Sequence, residues 1–217
     1  MKKSISILMF VLILSVSMAT PTFAVDNMLE EDGIVVSTEG EGEDEVTTIV
    51  GEENIKAYQE SLGEEYDPNL IAVRRTINNF SSNEEAEINP FFIRKEYYIK
   101  NKRAIEYTNL NMLIKEYRRP AGRVSINEGV NITTSFTADA GISAELLKAK
   151  LGFSVSSSNK FQIAWSGNYS YPIKIRVYPV YQRITGEVWD KDIKYDDFIG
   201  RFTVNRAIGD DIRVYRQ

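Results

Sequence analysis

From residue 124 to 155 this chain alternates apolar and polar residues, and no other feature constrains its fold as strongly. The even positions hold Val124, Ile126, Glu128, Val130, Ile132, Thr134, Phe136, Ala138, Ala140, Ile142, Ala144 and Leu146. The odd positions between them carry Ser, Asn, Gly, Thr, Asp and Glu. A period of two places one set of side chains on each face of an extended chain, so the stretch predicts half-buried β-structure. At Leu146-Leu147 the phase inverts, and Leu147, Ala149, Leu151, Phe153 and Val155 are apolar at odd positions. The run is far longer than a globular strand of about 5–6 residues.

Three readings of this segment stay open. One is a long bent strand or hairpin in a sandwich, with Ser and Thr on its wet face. The second interrupts the β-structure with a helix over 142–151. Ser143 to Leu151 contains strong helix formers, Glu145 and Lys148 sit at i,i+3, and Ile142, Leu146 and Ala149 share a face. The third is an amphipathic hairpin over 124–158 that inserts into a bilayer after oligomerisation. Ile132, Phe136, Ile142, Leu146, Leu147, Leu151 and Phe153 would then face lipid. Both arms reach the ~9–11 residues of a membrane strand, although Leu146-Leu147 lacks the usual turn residues.

The rest of the chain from residue 69 also has strand character. Phe91 to Ile99 and Ala104 to Tyr117 are rich in Tyr, Ile and Phe, with Asn101-Lys102-Arg103 expected as the turn between them. Arg118-Arg119-Pro120-Ala121-Gly122 breaks the pattern. Phe161, Ile163 and Trp165, then Ile173, Ile175 and Val177, alternate with polar or small residues, and Pro179 predicts an edge, bulge or strand end. Phe198 to Val204 alternates again, and Ile212 and Val214 flank Arg213 near the C-terminal end. Asp210-Asp211 predicts a turn. Asp190-Lys191-Asp192 with Asp196-Asp197 suggests an oxygen-ligand site, but Lys194 and Tyr195 stand where a calcium loop needs Asp/Asn and Gly. A loop of solvated charges is expected there instead.

The N-terminal residues predict export. Lys2 and Lys3 precede an apolar-and-Ser run from Ile5 to Met18, and Thr22-Phe23-Ala24 supplies a small-residue cleavage site. That order is a secretory signal peptide over 1–24, too short in its apolar part for a spanning helix. No cysteine follows, so no lipid anchor is expected, and the product should be released. The chain has no cysteine at all, hence no disulfides, which suits a Gram-positive secretome. The sequons at Asn79, Asn131 and Asn168 are then chance matches.

The formal charge of −5 conceals an asymmetry. Residues 25–68 hold 15 Asp/Glu and one Lys, whereas residues 69–217 hold 16 Asp/Glu and 23 Lys/Arg. Glu39 to Glu45 has five acids and no apolar group, so 25–68 is expected to be an acidic flexible region, disordered over 25–50. A short helix is predicted from Glu52 to Leu62, with Ile55, Tyr58 and Leu62 on one face. The region could serve as a tail, as a mask for the basic body, or as a surface for wall cations.

The absence of histidine removes Ser-His-Asp and Cys-His catalysis and the usual zinc sites. A hydrolase built on two carboxylates stays open, but no acid pair stands out, so the reading leans away from an enzyme and expects no cofactor. The basic residues suggest another use. Arg94, Lys95, Arg118, Arg119 and Arg123 are the candidate anion-binding residues, with Lys100, Lys102 and Arg103 extending the patch beside Tyr97, Tyr98 and Tyr107. An exported chain without a nucleic-acid-binding motif is not expected to bind nucleic acid.

The run Val130 to Ser158, with Gly141 to Glu145 and Leu151 to Ser156, then Tyr171 to Tyr181 and Gly186 to Trp189, resembles a group of uncharacterised secreted β-rich proteins of Gram-positive bacteria. That resemblance covers roughly residues 90–190, and it implies location and fold but no activity. The Ser/Thr-rich alternation also shows a fainter similarity, in composition and period, to aerolysin-type β-pore-forming proteins. The expected fold is therefore mainly β, an antiparallel sandwich or elongated sheet over 69–217 with one short helix near 142–151. The expected function is non-enzymatic binding of an anionic cell-wall polymer or lipid surface. Pore formation through 124–158 is the alternative, and only that alternative requires an oligomer.

Overall fold

Two long antiparallel strands, β8 (Ile173–Lys191) and β9 (Asp197–Arg216), form the spine of the fold. Their β-branched and aromatic residues favour extended backbone, and each strand is flanked on both sides, so much of their length is buried. The computed structural model describes residues 44–78, 96–191 and 195–217. The remaining elements, in chain order, are β1 (Asp44–Val50), α1 (Glu52–Ser61), β2 (Leu70–Asn78), β3 (Glu96–Thr108), β4 (Lys115–Arg119), β5 (Gly122–Thr133), β6 (Ser135–Ala138), α2 (Ala144–Leu151) and β7 (Ser158–Tyr169). The chain is thus mainly β, as its alternation predicts.

β1, β2, β9, β8 and β3 lie side by side in that order, while β4 continues the β3 edge along β8 and β6 continues the β2 edge along β9. All these pairings are antiparallel. β5 and β7 form a separate two-stranded ribbon stacked on part of one sheet face. Val124, Ile126, Val130 and Ile132 of β5 join Phe161, Ile163 and Trp165 of β7 over Ile173, Ile175, Val177, Ile212 and Val214. Side chains such as Ile163, Ile173 and Ile175 are fully buried, each contributing roughly 1.5–3 kcal/mol.

The opposite face carries both helices. α1 seats Ile55 on Leu70, Val73 and Tyr215. α2 and the chain around it seat Ile142, Leu147 and Val155 on Ile184, Val188, Phe202 and Val204. We refer below to a ribbon face and a helix face.

The structure differs from the sequence expectation at four places. First, residues 44–68 belong to the folded body. The β-branched run Val46 to Val50 forms β1, which pairs with β2 from Asp44↔Asn78 to Val50↔Ala72, and α1 packs behind it. Residues 25–43 lie outside the described residues. Second, Asn101-Lys102-Arg103 is no turn: β3 runs straight through, with a bulge between Lys100 and Arg103 and Asn101 at φ 54°. The chain breaks later, at 109–114, and Phe91 to Lys95 lie outside the described residues.

Third, Asp210-Asp211 is not a turn, because both residues lie inside β9 and are buried. Fourth, 124–158 is not one hairpin. β5 pairs with β7 and β6 with β9, and α2 occupies the expected tip at Leu146-Leu147. The helix wins for local reasons. The Ser143 side chain accepts a hydrogen bond from the Leu146 amide, and Gly152 ends the helix with φ 79°. β–helix–β is therefore the arrangement of this segment.

Pro179 is accommodated in mid-strand. Its carbonyl accepts a hydrogen bond from the Asn109 amide at 3.0 Å, and its nitrogen faces the same edge. That edge is the gap between β3, which pairs from Val180 onward, and β4, which pairs from Val177 backward. The missing N–H is not needed there, and a bulge follows between Val180 and Tyr181.

The residues proposed to face lipid are core residues here. Ile132, Ile142 and Leu147 are buried, and Phe136, Leu146, Leu151 and Phe153 pack against the α2 core. Phe136→Asp is accordingly expected to destabilise the soluble protein by about 2–4 kcal/mol, seen as a lower urea midpoint. An unchanged midpoint would show that Phe136 is dispensable for packing.

Candidate functional surface

The ribbon covers only half of its sheet face. It reaches Tyr181 and Ala207, and beyond them no element among the described residues covers the ribbon face of β3, β8 and β9. Register shows what lies there. Tyr98, Trp189 and Phe198 stand in one row across the three strands, and Lys100, Glu187 and Arg201 stand in the next. Arg103, Thr185 and Thr203 form a third row, and Ile105, Arg183 and Asn205 a fourth. The two bulges, at Lys100/Arg103 in β3 and Val188/Trp189 in β8–β9, bring these residues into line. On the other face the same strands present Ile184, Gly186, Val188, Gly200, Phe202 and Val204, all covered. Arg183 and Arg201 are exposed, while Trp189 and Glu187 are half-buried.

Three of the cations rest on aromatic rings. Lys100 Nζ is 4.3 Å from the Trp189 ring centre and 5.1 Å from that of Tyr98. Arg183 lies 4.5 Å from Tyr107, and Arg201 6.0 Å from Phe198. Such contacts hold long side chains in place, and Lys100 and Arg201 each also have a carboxylate nearby, Asp196 at 3.5 Å and Glu187 at 3.6 Å. Tyr107 in turn stacks on Tyr181 at 5.9 Å. Neighbouring strands are about 4.8 Å apart and alternate residues along a strand about 6.7 Å apart, so the cation-bearing positions are separated by roughly 10–14 Å.

The carboxylates on this surface are also fixed. Glu187 Oε2 accepts from Asn101 Nδ2 at 2.9 Å and from Trp189 Nε1 at 3.3 Å, and these bonds hold its carboxyl below the usual range. Arg201 is 3.6 Å from the same group. Asp196 accepts a hydrogen bond from the Tyr98 hydroxyl, which with Lys100 3.5 Å away also lowers its carboxyl. Next to this surface, at the β3 edge, a groove of about 550 Å³ is lined by Leu62, Glu64, Glu106, Tyr107, Asn109 and Arg183.

The sequence-predicted basic residues do not converge. Arg94 and Lys95 lie outside the described residues. Arg118 is on the helix-face side of β4 and pairs with Glu116 at 3.0 Å, beside Arg176. Arg119 points the other way, over the Tyr117 ring at 5.6 Å. Arg123 is exposed on the outer side of the ribbon opposite Asn168. Alternation sends neighbours in a strand to opposite faces, so adjacency in sequence separated them. Of the extended patch, Lys100 and Arg103 do share the open face with Tyr98 and Tyr107. Arg183 and Arg201 were missed, because only the register of β8 with β3 and β9 shows that they stand beside Lys100.

Below the helix face lies a second polar cluster. Asp211, fully buried, accepts from Tyr58 Oη at 3.1 Å, Thr108 Oγ1 at 3.0 Å and Arg213 Nη2 at 3.2 Å. Glu64 grips Arg213 with both oxygens, at 2.5 and 2.8 Å. Burial opposes the Arg213 charge, but the bonds from Glu64 and the Asp211 charge outweigh it and raise its pKa. Burial raises the Tyr58 hydroxyl as well. Arg75 of β2 reaches Glu106 of β3 at 3.4 Å across β9 and β8, so the sheet curls over this cluster. Tyr58, Glu64, Thr108, Asp211 and Arg213 are each bonded to another member of the cluster, which marks it as structural.

Among the described residues no group of three or more acidic side chains is arranged to hold a metal ion. None of the helices among them is long and apolar enough to cross a membrane. Comparison with protein-family models, with curated proteins and with solved structures returned no match.

Proposed function

We propose that this is an exported, non-enzymatic binding protein that engages an anionic polymer of the cell envelope through the open half of its large sheet. The observation supporting this reading is the seating of Lys100, Arg183 and Arg201 on aromatic rings of one face that no element among the described residues covers. A sheet held by a ribbon on one half and helices behind is a rigid frame. Cations already ordered on such a frame lose little further side-chain freedom when an anionic chain binds. Repeated phosphate or carboxylate groups on a flexible polymer can match a spacing of roughly 10–14 Å between cations.

The test is binding of residues 25–217 to isolated anionic wall polymers at low and high ionic strength. Affinity should fall steeply with salt, and the triple variant Lys100→Glu/Arg183→Glu/Arg201→Glu should bind at least about tenfold more weakly while unfolding at the same temperature. Binding that ignores both salt and the triple substitution would refute the mechanism.

A further inference from the structure

The corner of the open face around Lys100 holds a different chemistry. Its ammonium lies between the rings of Trp189, at 4.3 Å, and Tyr98, at 5.1 Å, and is 3.5 Å from the Asp196 carboxylate. Each wall of this enclosure is fixed by something other than Lys100. The Tyr98 hydroxyl is bonded to Asp196. The Trp189 N–H is bonded to Glu187, and the Phe198 ring meets the indole edge-on at 5.3 Å and 64°. Asn101 holds Glu187 from the far side.

Two ring faces and a carboxylate around one position are what an organic ammonium group requires. The surrounding charge agrees. Glu96, Glu187, Asp196 and Asp197 gather at this end with Lys100, Lys191 and Arg201, so the corner is not itself cationic.

We propose that the Tyr98–Trp189–Asp196 corner is a binding site for an organic ammonium group, and that Lys100 occupies it until a ligand displaces it. Lys100 is suited to leave. It stands on β3, whose one strand partner among the described residues is β8, at the start of the bulge and with its side chain 43 % exposed. Departure of the stem breaks no ladder hydrogen bond and empties no core space. The ring distances also suit a methylated nitrogen, which is larger than the lysine ammonium but attracted by the same ring quadrupoles. The site shares Lys100 with the polymer reading above, but it holds a monovalent ligand of the opposite charge through Tyr98, Trp189 and Asp196, so it stands or falls without that reading.

The experiment titrates choline, tetramethylammonium and the uncharged isostere 3,3-dimethylbutanol into residues 25–217, with and without Lys100→Ala. Trp189 fluorescence and NMR shifts report occupancy, and Trp165, buried on the inner face of the ribbon and bonded to Tyr169, serves as internal reference. Lys100→Ala should bind both ammonium ions about tenfold more tightly than the parent chain and ignore the isostere. Adding Trp189→Leu to Lys100→Ala should remove that binding, read by NMR shifts alone because the reporter indole is gone, with circular dichroism confirming that the sheet is intact.

A folded Lys100→Ala chain without saturable ammonium binding overturns the proposal. Equal binding of the isostere does too, since it would mark a merely apolar patch. Neither result touches the salt dependence of polymer binding, so the two readings fail separately.

Discussion

Arg213→Ala should be among the most damaging single substitutions in this protein, lowering its stability by about 3–5 kcal/mol. The guanidinium is only 2 % exposed and is the counter-charge for Asp211, which is 0 % exposed, and for Glu64. Its removal strands a carboxylate that cannot reach water, and also loosens the link between the end of α1 and the sheet. Glu64→Gln should cost clearly less, because Glu64 retains a path to solvent at 16 % exposure and its amide can still accept from Arg213. Urea midpoints at constant m-value would measure both. Equal costs for the two variants would mean that Asp211 is not the group that suffers.

The second large effect concerns pH. Asp210 lies in β9 with 1 % exposure, and among the described residues neither carboxylate oxygen has a hydrogen-bond partner. It shares the ribbon face with Arg74, whose guanidinium instead donates to the Ala164 carbonyl of β7 at 2.5 Å. Burial raises the Asp210 carboxyl to about 7, with the Asp211 and Asp44 charges adding to the rise and Arg74 opposing it. An unfolded aspartate titrates near 3.9. Between these values the folded chain keeps a proton that the unfolded chain has lost, so stability falls as pH rises from about 4 to about 7, then levels.

The full contribution is on the order of 4 kcal/mol, opposite in sign to that of an ion-paired aspartate. Asp210→Asn removes the titration at nearly constant volume. Its stability gain over the parent should therefore be large at pH 8 and vanish near pH 4, in urea unfolding followed at both pH values. A gain independent of pH would show that Asp210 does not titrate in this range.

Both residues show where sequence reasoning stops. Asp210-Asp211 resembles a turn because two adjacent carboxylates are normally solvated. What overrides that preference is assembled from distant segments: Tyr58 and Glu64 from the α1 region, Arg74 from β2 and Thr108 from β3. Asn101-Lys102-Arg103 misleads in a related way. Its residues suit a turn, yet continuous pairing with β8 on either side absorbs them as a bulge.

Other elements were legible because their signal is local. The apolar phase of 124–132 does face the core, and the opposite phase of 161–165 does meet it, as partners in register. The helix over 144–151 has its cap, its formers and its terminating glycine within ten residues of sequence. β1 was missed in favour of disorder because the acidic run ending at Glu45 masks the short β-branched stretch that follows it.

The functional surface divides the same way. Composition, charge and residue period alone determined that the region after residue 68 is basic, that histidine and cysteine chemistry is absent, and that the chain is mainly β. These are properties of residue types and of their period along one strand. Tertiary structure alone decided which cations stand together, since Arg118, Arg119 and Arg123 are dispersed by alternation while Lys100, Arg183 and Arg201 are gathered from three strands. Strand register and the limited reach of the β5–β7 ribbon leave that face without a cover among the described residues. Both depend on contacts between segments far apart in the chain, which no local pattern of residues records.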